Sequence, residues 1–188
     1  MVAEVLQYIA DGIRIKSAEA DAMYAGIVID TNNFTNQTGV RTFEAAAFLR
    51  RNGADVVRVR KLFRDDLDDY KAKAEAVREA EIFEGCFAIS TCPSEGIESP
   101  TVVGAQAANE LLDIAGMKAS IVMTFYNNTI YLSARSIDEV NVQVMMEKLG
   151  GGGHRTIAGA QLKDMSLEEA RDRVKEVIKD MLEKGDIS

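Results

Sequence analysis

Four consecutive glycines, residues 150 to 153, stand directly before His154, the only histidine of the 188-residue sequence. Each glycine in an ordered segment costs roughly 0.5–1 kcal/mol relative to alanine, and a helix end explains only one of them. The other three, Gly151, Gly152 and Gly153, predict that another group approaches the backbone closely or that several positions need positive φ. Backbone N–H groups of such a loop can bind an anion, and His154 can donate to a phosphate oxygen. The alternative is a flexible linker with a hydrogen-bonded histidine.

Positive charge for an anion must come from side chains, because the glycine run follows a predicted helix whose C-terminal dipole does not favour anions. Arg135 closes the strand before that helix, and Arg155 follows His154. Ser136 and Glu139 have the spacing of a capping box for the same helix. We predict that Arg135 and Ser136 lie close to the glycine loop. The alternatives are a surface arginine and a serine that serves only as an N-cap.

Asp30 is a second candidate, because it ends the apolar stretch "AGIVID" (residues 25–30), which is typical of a short buried strand. Ligands of open α/β sheets gather beyond the carboxyl ends of strands, and an aspartate there can bind a divalent cation. One carboxylate does not make a catalytic metal site, and the sequence offers no clear set of partners. A turn or cap aspartate is the alternative.

Composition limits the classes of function. The formal net charge of −8 argues against a general binder of long nucleic acid, which needs a basic surface, but it allows a short anionic ligand in a local pocket. The sequence has no run of 18 apolar residues, so no transmembrane helix and no membrane contact are expected in this segment. Cys86 and Cys92, if they share one strand, would lie about 20 Å apart, which predicts two reduced thiols. A zinc site is not expected from these cysteines and one histidine.

The periodicity of apolar residues predicts the secondary structure of the first half. Residues 1 to 24 are predicted to be helical. A strand at 25–30 follows, then a helix at about 43–52, a strand in "DVVRV" (55–59) and a charged helix at about 66–81.

The second half has the pattern of a complete α/β domain. A strand is predicted at 82–91, and a helix from Ser99-Pro100 to Gly116. Two strands joined by an Asn127-Asn128 turn follow, then a helix to residue 148 and a strand in "TIAGAQL" (156–162). The last helix begins at a capping box, Ser166 and Glu169. We therefore predict a strand–helix segment over 1–60, a linker helix over 61–80, and an α/β domain with a mixed sheet and flanking helices over 81–188.

Three stretches carry a resemblance to a known family: "GIVIDTNNFTNQTGVRTFEAAAFLRRNGAD", "YLSARSIDEVNVQVMMEKLGGGGH" and "AGAQL". They resemble the DHH phosphoesterase superfamily with its DHH-associated C-terminal domain, over nearly the whole chain. Within it, they are similar to the subgroup of cyclic-di-AMP phosphodiesterases that also carry membrane helices, a PAS-like domain and a degenerate GGDEF domain.

The resemblance implies an enzyme of two lobes that uses two manganese ions to hydrolyse cyclic-di-AMP to the linear dinucleotide pApA. Carried over by position, residues 1–60 would be the C-terminal remnant of the DHH catalytic lobe, and residues 81–188 the DHH-associated substrate-binding domain. Asp30 would be a manganese ligand. Gly151, Gly152, Gly153 and His154 would form the substrate loop, with Arg135 and Ser136 in the same pocket. It also implies a chain on the cytoplasmic face of the membrane, anchored by other parts of the protein, and a possible homodimer.

One departure from the family pattern matters for activity. The Asp-His-His motif needs two histidines, whereas this sequence has one, already placed in the glycine loop. We expect the chain to begin after that motif, to supply nucleotide binding and one metal ligand, and to show negligible hydrolysis by itself. Two alternatives stay open: an oligoribonuclease or single-strand exonuclease of the same superfamily, and a non-catalytic nucleotide-binding or dimerisation module. The absence of tryptophan weakly favours a small substrate over a single strand.

Overall fold

The computed structural model describes residues 2–9, 15–35, 38–137 and 139–185. The chain divides into two compact units, residues 1–65 and residues 66–188. No helix in these ranges is long and apolar enough to cross a membrane.

All regular secondary structure in the described residues of the first unit is helical. Its helices are α1 (Val2–Ile9), α2 (Ser17–Asp30), α3 (Val40–Arg51) and α4 (Val56–Leu62). Their core places the small side chains of Ala20, Ala45 and Ala54 around the fully buried Leu49, and larger, partly buried side chains such as Tyr24 pack against it.

Both strands predicted in this unit are wrong. Residues 25–30 form the last turns of α2, and "DVVRV" forms the start of α4. Asp55 is the N-cap of α4, and its side chain accepts hydrogen bonds from the backbone N–H groups of Val57 and Arg58. The cap side chain satisfies donors at the first turn, which stabilises a helix in a stretch rich in β-branched residues.

An ion pair joins α4 to α2. Arg58 Nε donates to Asp21 Oδ2 at 2.7 Å, and the Asp55 backbone N–H donates to Asp21 Oδ1 at 2.6 Å. These bonds stabilise the carboxylate, so the pKa of Asp21 lies below its usual value, chiefly because of Arg58.

The second unit combines four helices with six strands in its described residues. The elements are α5 (Leu67–Arg78), β1 (Glu81–Phe83), β2 (Phe87–Cys92), α6 (Pro100–Leu112), β3 (Ala119–Tyr126), β4 (Thr129–Ser136), α7 (Val142–Lys148), β5 (Gly152–Gly153), β6 (Ile157–Lys163) and α8 (Leu167–Glu183).

The strands form one sheet in the order β1-β2-β3-β4-β6-β5. Strands β2 and β3 are parallel and joined by a crossover through α6, whereas the other neighbours are antiparallel. The predicted mixed sheet with flanking helices is confirmed.

Helices cover the two faces of the sheet with separate cores. One core places Met145 of α7 and Ile178 of α8 against Ile121 and Leu132 of the sheet. The other packs α5 and α6 against Ala88 and Val122. Helix α6 lies close to β3, because a Cβ at Gly104 would collide with the hydroxyl of Thr124.

Several local predictions for this unit are confirmed. Asn127 and Asn128 form the β3–β4 turn with φ of 48° and 58°, the left-handed values that a tight hairpin needs. Ser166 and Glu169 form the capping box of α8.

Three other predictions need correction. The single strand predicted at 82–91 is two strands, β1 and β2, separated by a tight turn at residues 84–86. The two cysteines of this segment, Cys86 and Cys92, are free, in agreement with the predicted thiols. Helix α7 begins after Asn141, whose side chain caps it, rather than at a Ser136–Glu139 box. The range 61–80 is not a linker helix, because α5 packs into the second unit through Ala72 and Ala76.

Candidate functional site

Helices α5 and α6 cover one face of the sheet only as far as β4 and leave the same face of β6 exposed. Along β6, Ala158, Ala160 and Leu162 are buried in the α7–α8 core, whereas the alternate residues are exposed or half-buried. The same alternation on β4 buries Leu132 and Ala134 on the α7–α8 side. Six of the residues that point away from that core form what we call the open face: Tyr131, Ser133 and Arg135 of β4, and Ile157, Gly159 and Gln161 of β6. Thr129 and Lys163 form one more pair on this side, beyond Tyr131 and Gln161.

The strand register arranges the open face in three rows. Tyr131 pairs with Gln161, Ser133 with Gly159, and Arg135 with Ile157. Strand β5 extends the middle row, because Gly152 pairs with Gly159. Neighbouring strands lie about 5 Å apart and successive rows about 7 Å apart, so these side chains surround one small area.

The first part of the glycine run ends helix α7. Gly150 has a φ of 79° and donates to Glu147 O at 3.0 Å, while Gly151 donates to Met146 O at 2.8 Å. This pair of bonds is a Schellman motif, which satisfies the last carbonyl groups of a helix and requires a left-handed residue.

Close approach of two backbones explains two more glycines. A Cβ at Gly151 would collide with the carbonyl oxygen of Gly159 and lie 2.6 Å from Ala160 Cα. A Cβ at Gly153 would lie 2.5 Å from Ala158 Cα. These atoms belong to the backbone of β6, so β5 can pair with β6 only where side chains are absent.

Gly152 is different from its neighbours. A Cβ there would have no heavy atom within 4 Å, and its φ is outside the left-handed range in which the structure places Gly150 and Gly153. Neither packing nor backbone conformation within the chain demands a glycine at this position. The space above Gly152 is therefore available to a ligand that lies against the open face.

His154 follows β5 and keeps its register. Its backbone N–H donates to Ile157 O at 2.7 Å, which places His154 in the row of Arg135 and Ile157. The side chain is exposed, and among the residues that the structure describes it has no hydrogen-bond or ion-pair partner. Its imidazole is thus free to donate to a bound group.

Arg135 is held in place by α6. Its Nε donates to Asn109 Oδ1 at 2.8 Å, and its Nη1 donates to Ala134 O at 2.9 Å. Burial lowers the pKa of the guanidinium below its usual value, but an arginine stays charged at neutral pH. A partly desolvated, oriented guanidinium is well suited to a phosphate.

Helix α6 is itself fixed by a buried hydroxyl beneath Arg135. Ser120 of β3 pairs with Arg135 in register, and its Oγ donates to Ala108 O at 2.6 Å. Ala108 precedes Asn109 on α6, so this bond holds the residue that orients Arg135.

Ser136 lies on the opposite side of the sheet from Arg135. It is buried, its hydroxyl donates to Val140 O at 2.6 Å and lies 3.4 Å from Arg155 O. These bonds connect the end of β4 to the loops on either side of α7. The structure therefore does not bring Ser136 to the open face with Arg135, and gives it a role in holding these loops.

Asp30 lies in the first unit, at the exposed C-terminus of α2 instead of the end of a strand. In the described ranges no group of three or more histidine, cysteine, aspartate or glutamate side chains could hold a metal ion. Asp30 alone does not make the two-manganese site that the resemblance implies.

Comparison with known proteins gives the family. Residues 86–183 match the model of the DHHA1 domain, which includes the whole open face. The chain belongs to the DHHA1 domain family. This confirms the resemblance noted in the sequence.

Two curated relatives align with almost the whole chain. It is 42% identical over 186 residues to the cyclic-di-AMP phosphodiesterase GdpP of Geobacillus thermodenitrificans. The aligned region covers 98% of this chain and 28% of that protein. It is 42% identical over 175 residues to the cyclic-di-AMP phosphodiesterase PdeA of Listeria monocytogenes. That aligned region covers 93% of this chain and 26% of the relative. The chain thus spans only about a quarter of the length of these relatives.

A solved structure shares the fold. An exopolyphosphatase-related protein from Bacteroides fragilis has a TM-score of 0.78 and 19% sequence identity, over 89% of this chain and 51% of that one. At this identity the likeness concerns the fold alone.

The DHHA1 open face contains residues that sequence reasoning missed. The sequence pattern predicts only a strand for Gly159 and Gln161 and only a helix for Asn109. A signal for Gly159 and Gln161 is present in the sequence, because "AGAQ" (158–161) alternates a buried small residue with a polar or absent side chain. No local pattern linked Asn109 to Arg135, which is 26 positions away.

Proposed function

We propose that this chain is the nucleotide-binding part of a phosphodiesterase that hydrolyses cyclic-di-AMP to linear pApA. The observation that carries the proposal is the open face, where Arg135 and His154 share a row beside the unoccupied space over Gly152. The 42% identity to two proteins named as cyclic-di-AMP phosphodiesterases supports the choice of ligand.

The open face offers a phosphate what the chain as a whole does not. The net charge of −8 repels a polyanion at long range, so binding must rely on local contacts. Arg135, oriented by Asn109, supplies a charged fork, and His154 supplies a ring N–H. Gly152 lets phosphate or sugar approach the backbone of β5. A short, compact dinucleotide fits these conditions better than a long strand.

The roles of the loop residues follow from their positions. Gly151 and Gly153 let β5 pair with β6 and so present Gly152 and His154. We propose Gly152, His154 and Arg135 as direct contacts of the substrate, and Ser136 as a residue that supports the loop from the other face.

The metal chemistry is proposed from the resemblance and the relatives. Divalent metals in such enzymes activate a water and neutralise the phosphodiester. We propose Asp30 as one manganese ligand of the longer protein, with the remaining ligands from outside the described residues. The 188-residue chain with added manganese is expected to hydrolyse cyclic-di-AMP negligibly, because it contains a single histidine whereas the family motif needs two. Chromatography of the reaction measures this, and steady production of pApA would contradict it.

Two further properties are proposed on the same basis. The longer protein is anchored in the membrane with this chain on the cytoplasmic face, and the chain can form a homodimer. Fractionation of cells that produce the full-length protein tests the first, and light scattering of the purified chain tests the second.

Calorimetric titration of the purified chain with cyclic-di-AMP tests the proposed binding. Arg135→Ala should weaken binding about 10- to 150-fold, because a hydrogen bond to a charged group contributes about 1.5–3 kcal/mol. Arg173→Ala is the matched control, since it removes the same charge from an exposed position of α8, on the other face of the sheet. Equal affinity of the two variants would refute the proposed site. Tighter binding of a short RNA than of cyclic-di-AMP would favour an oligoribonuclease instead.

A further inference from the structure

Gln161 stands on the open face without an assigned role. It lies two positions beyond Gly159 on β6 and directly opposite Tyr131 of β4. It is exposed, and within the described part of the chain its amide makes no hydrogen bond. The other positions on this side of β6 are Ile157, Gly159 and Lys163, so Gln161 is the only amide on this side of the strand.

The middle row of the open face forms a flat floor. Gly152 and Gly159 are paired neighbours without side chains, and Ser133 beside them carries only a hydroxymethyl group. On one side of this floor is the cationic row of Arg135 and His154. On the other side is the row of Tyr131 and Gln161. The two outer rows are about 14 Å apart, as four residues of a strand require.

This arrangement of rows predicts where each part of a bound nucleotide lies. With a phosphate at the cationic row, the sugar lies over the glycine floor and the base extends toward Gln161. A flat ring can lie on glycine backbone, where a side chain would hold it away. The base edge then meets a side chain that carries one acceptor and two donors.

We propose that Gln161 determines base specificity by binding the edge of an adenine. Its amide oxygen accepts from the adenine N6 amino group while its amide nitrogen donates to N7, the pairing by which glutamine binds adenine in nucleic-acid complexes. Guanine presents two acceptors, O6 and N7, at the same edge. The amide nitrogen of Gln161 can donate to only one of these acceptors, and the amide oxygen would then face the other acceptor and be repelled by it. This inference rests on the proposed function, since it assumes that the open face binds nucleotides.

The test is calorimetric titration with cyclic-di-AMP and cyclic-di-GMP. The wild-type chain should prefer cyclic-di-AMP. Gln161→Leu should lose about 10- to 100-fold in affinity for cyclic-di-AMP, with little change for cyclic-di-GMP, so that the preference collapses. Gln161→Glu, which is close in shape and retains an acceptor for N6, should also lose affinity because it cannot donate to N7.

A matched control is available on the other side of the sheet. Gln143 lies on α7 and its amide nitrogen donates to Glu147 Oε1 at 2.9 Å, so Gln143→Leu also removes one amide from a partly exposed site. It should keep the wild-type affinities for both ligands. Circular dichroism of each variant verifies folding, and the Gln161→Glu variant serves if the leucine variant is misfolded.

The outcomes separate this inference from the proposed function. If the wild-type chain binds cyclic-di-AMP and Arg135→Ala weakens it, while both Gln161 variants keep the wild-type preference, Gln161 is only a solvated surface residue and the inference is overturned. If the wild-type chain binds neither dinucleotide, the proposed function fails and this inference fails with it. A selective loss of affinity for cyclic-di-AMP in both variants supports it.

Discussion

Adjacent glycines of the run are expected to respond in opposite ways to the same substitution. In Gly151→Ala the new methyl group would lie 2.6 Å from Ala160 Cα and would collide with the carbonyl of Gly159. Both obstacles are backbone, so β5 must move away from β6. Overpacking typically costs about 1–3 kcal/mol, and a contact with backbone on two sides belongs in the upper half of that range.

In Gly152→Ala the new methyl group meets nothing within 4 Å. The substitution reduces the conformational freedom of the unfolded chain, which stabilises a compatible site by roughly 0.4–1 kcal/mol. The methyl group stands on the glycine floor, however, where the nucleotide is proposed to lie. We therefore expect Gly152→Ala to be at least as stable as wild type and to bind cyclic-di-AMP at least about tenfold more weakly, a loss of about 1.4 kcal/mol.

Thermal melts followed by circular dichroism measure the first effect, and calorimetry measures the second. For a chain of this size each kcal/mol shifts the melting temperature by about 2–4 °C. The cost in Gly151→Ala and the gain in Gly152→Ala together separate the two variants by about 2.4–4 kcal/mol, so Gly151→Ala should melt roughly 5–16 °C below Gly152→Ala. Equal melting temperatures would refute the close approach of β5 and β6. Unchanged affinity in Gly152→Ala would refute the floor as a binding surface.

Three further predictions concern other parts of the chain. Arg135→Lys should bind cyclic-di-AMP nearly as weakly as Arg135→Ala in calorimetry. The reason is that an ammonium lacks the planar set of N–H donors with which a guanidinium can bind both Asn109 of α6 and a phosphate. A lysine variant with wild-type affinity would contradict this. Burial raises the pKa of the Cys92 thiol to about 11, so iodoacetamide at mildly alkaline pH should modify Cys86 well before Cys92, and mass spectrometry showing equal rates would refute it. The pKa of Asp21 is depressed in the folded chain, so its stabilisation is present above the unfolded value of about 3.9 and disappears as the pH falls through the folded value. Asp21→Asn should accordingly lower the melting temperature at neutral pH and have no effect in strong acid, whereas a pH-independent difference would show that the ion pair with Arg58 is unimportant.

Sequence predicted those elements whose signals are local. The β3–β4 turn depends on two asparagines that tolerate positive φ, and the start of α8 on a serine and a glutamate three residues apart. The strand predicted at 25–30 is wrong because a short apolar run with β-branched residues is compatible with a buried strand and with the end of a helix. The cap formed by Asp55 was visible in the sequence, but the run of valines after it favoured a strand.

The candidate site was predictable only in part, because the contacts that form it join residues that are far apart in the sequence. The glycine run and His154 attract attention in the sequence, yet which glycine serves a ligand depends on contacts of β5 with β6. Ser136 and Arg135 are adjacent in sequence, and alternation along β4 sends them to opposite faces. Only the pairing of β5 with β6 brings Gln161 and Gly152 to one surface.

The hydrogen bond from Ser120 to the Ala108 carbonyl has a consequence for how this site can change. Ser120 is completely buried and no ligand can touch it, yet it sets the height of α6 over the sheet and so the position of Asn109 against Arg135. A substitution of the buried Ser120 can therefore change ligand affinity although every residue on the binding surface stays the same. Homologues with identical surface residues and different side chains at this position should differ in affinity, and comparing only the residues that contact the ligand would miss the cause.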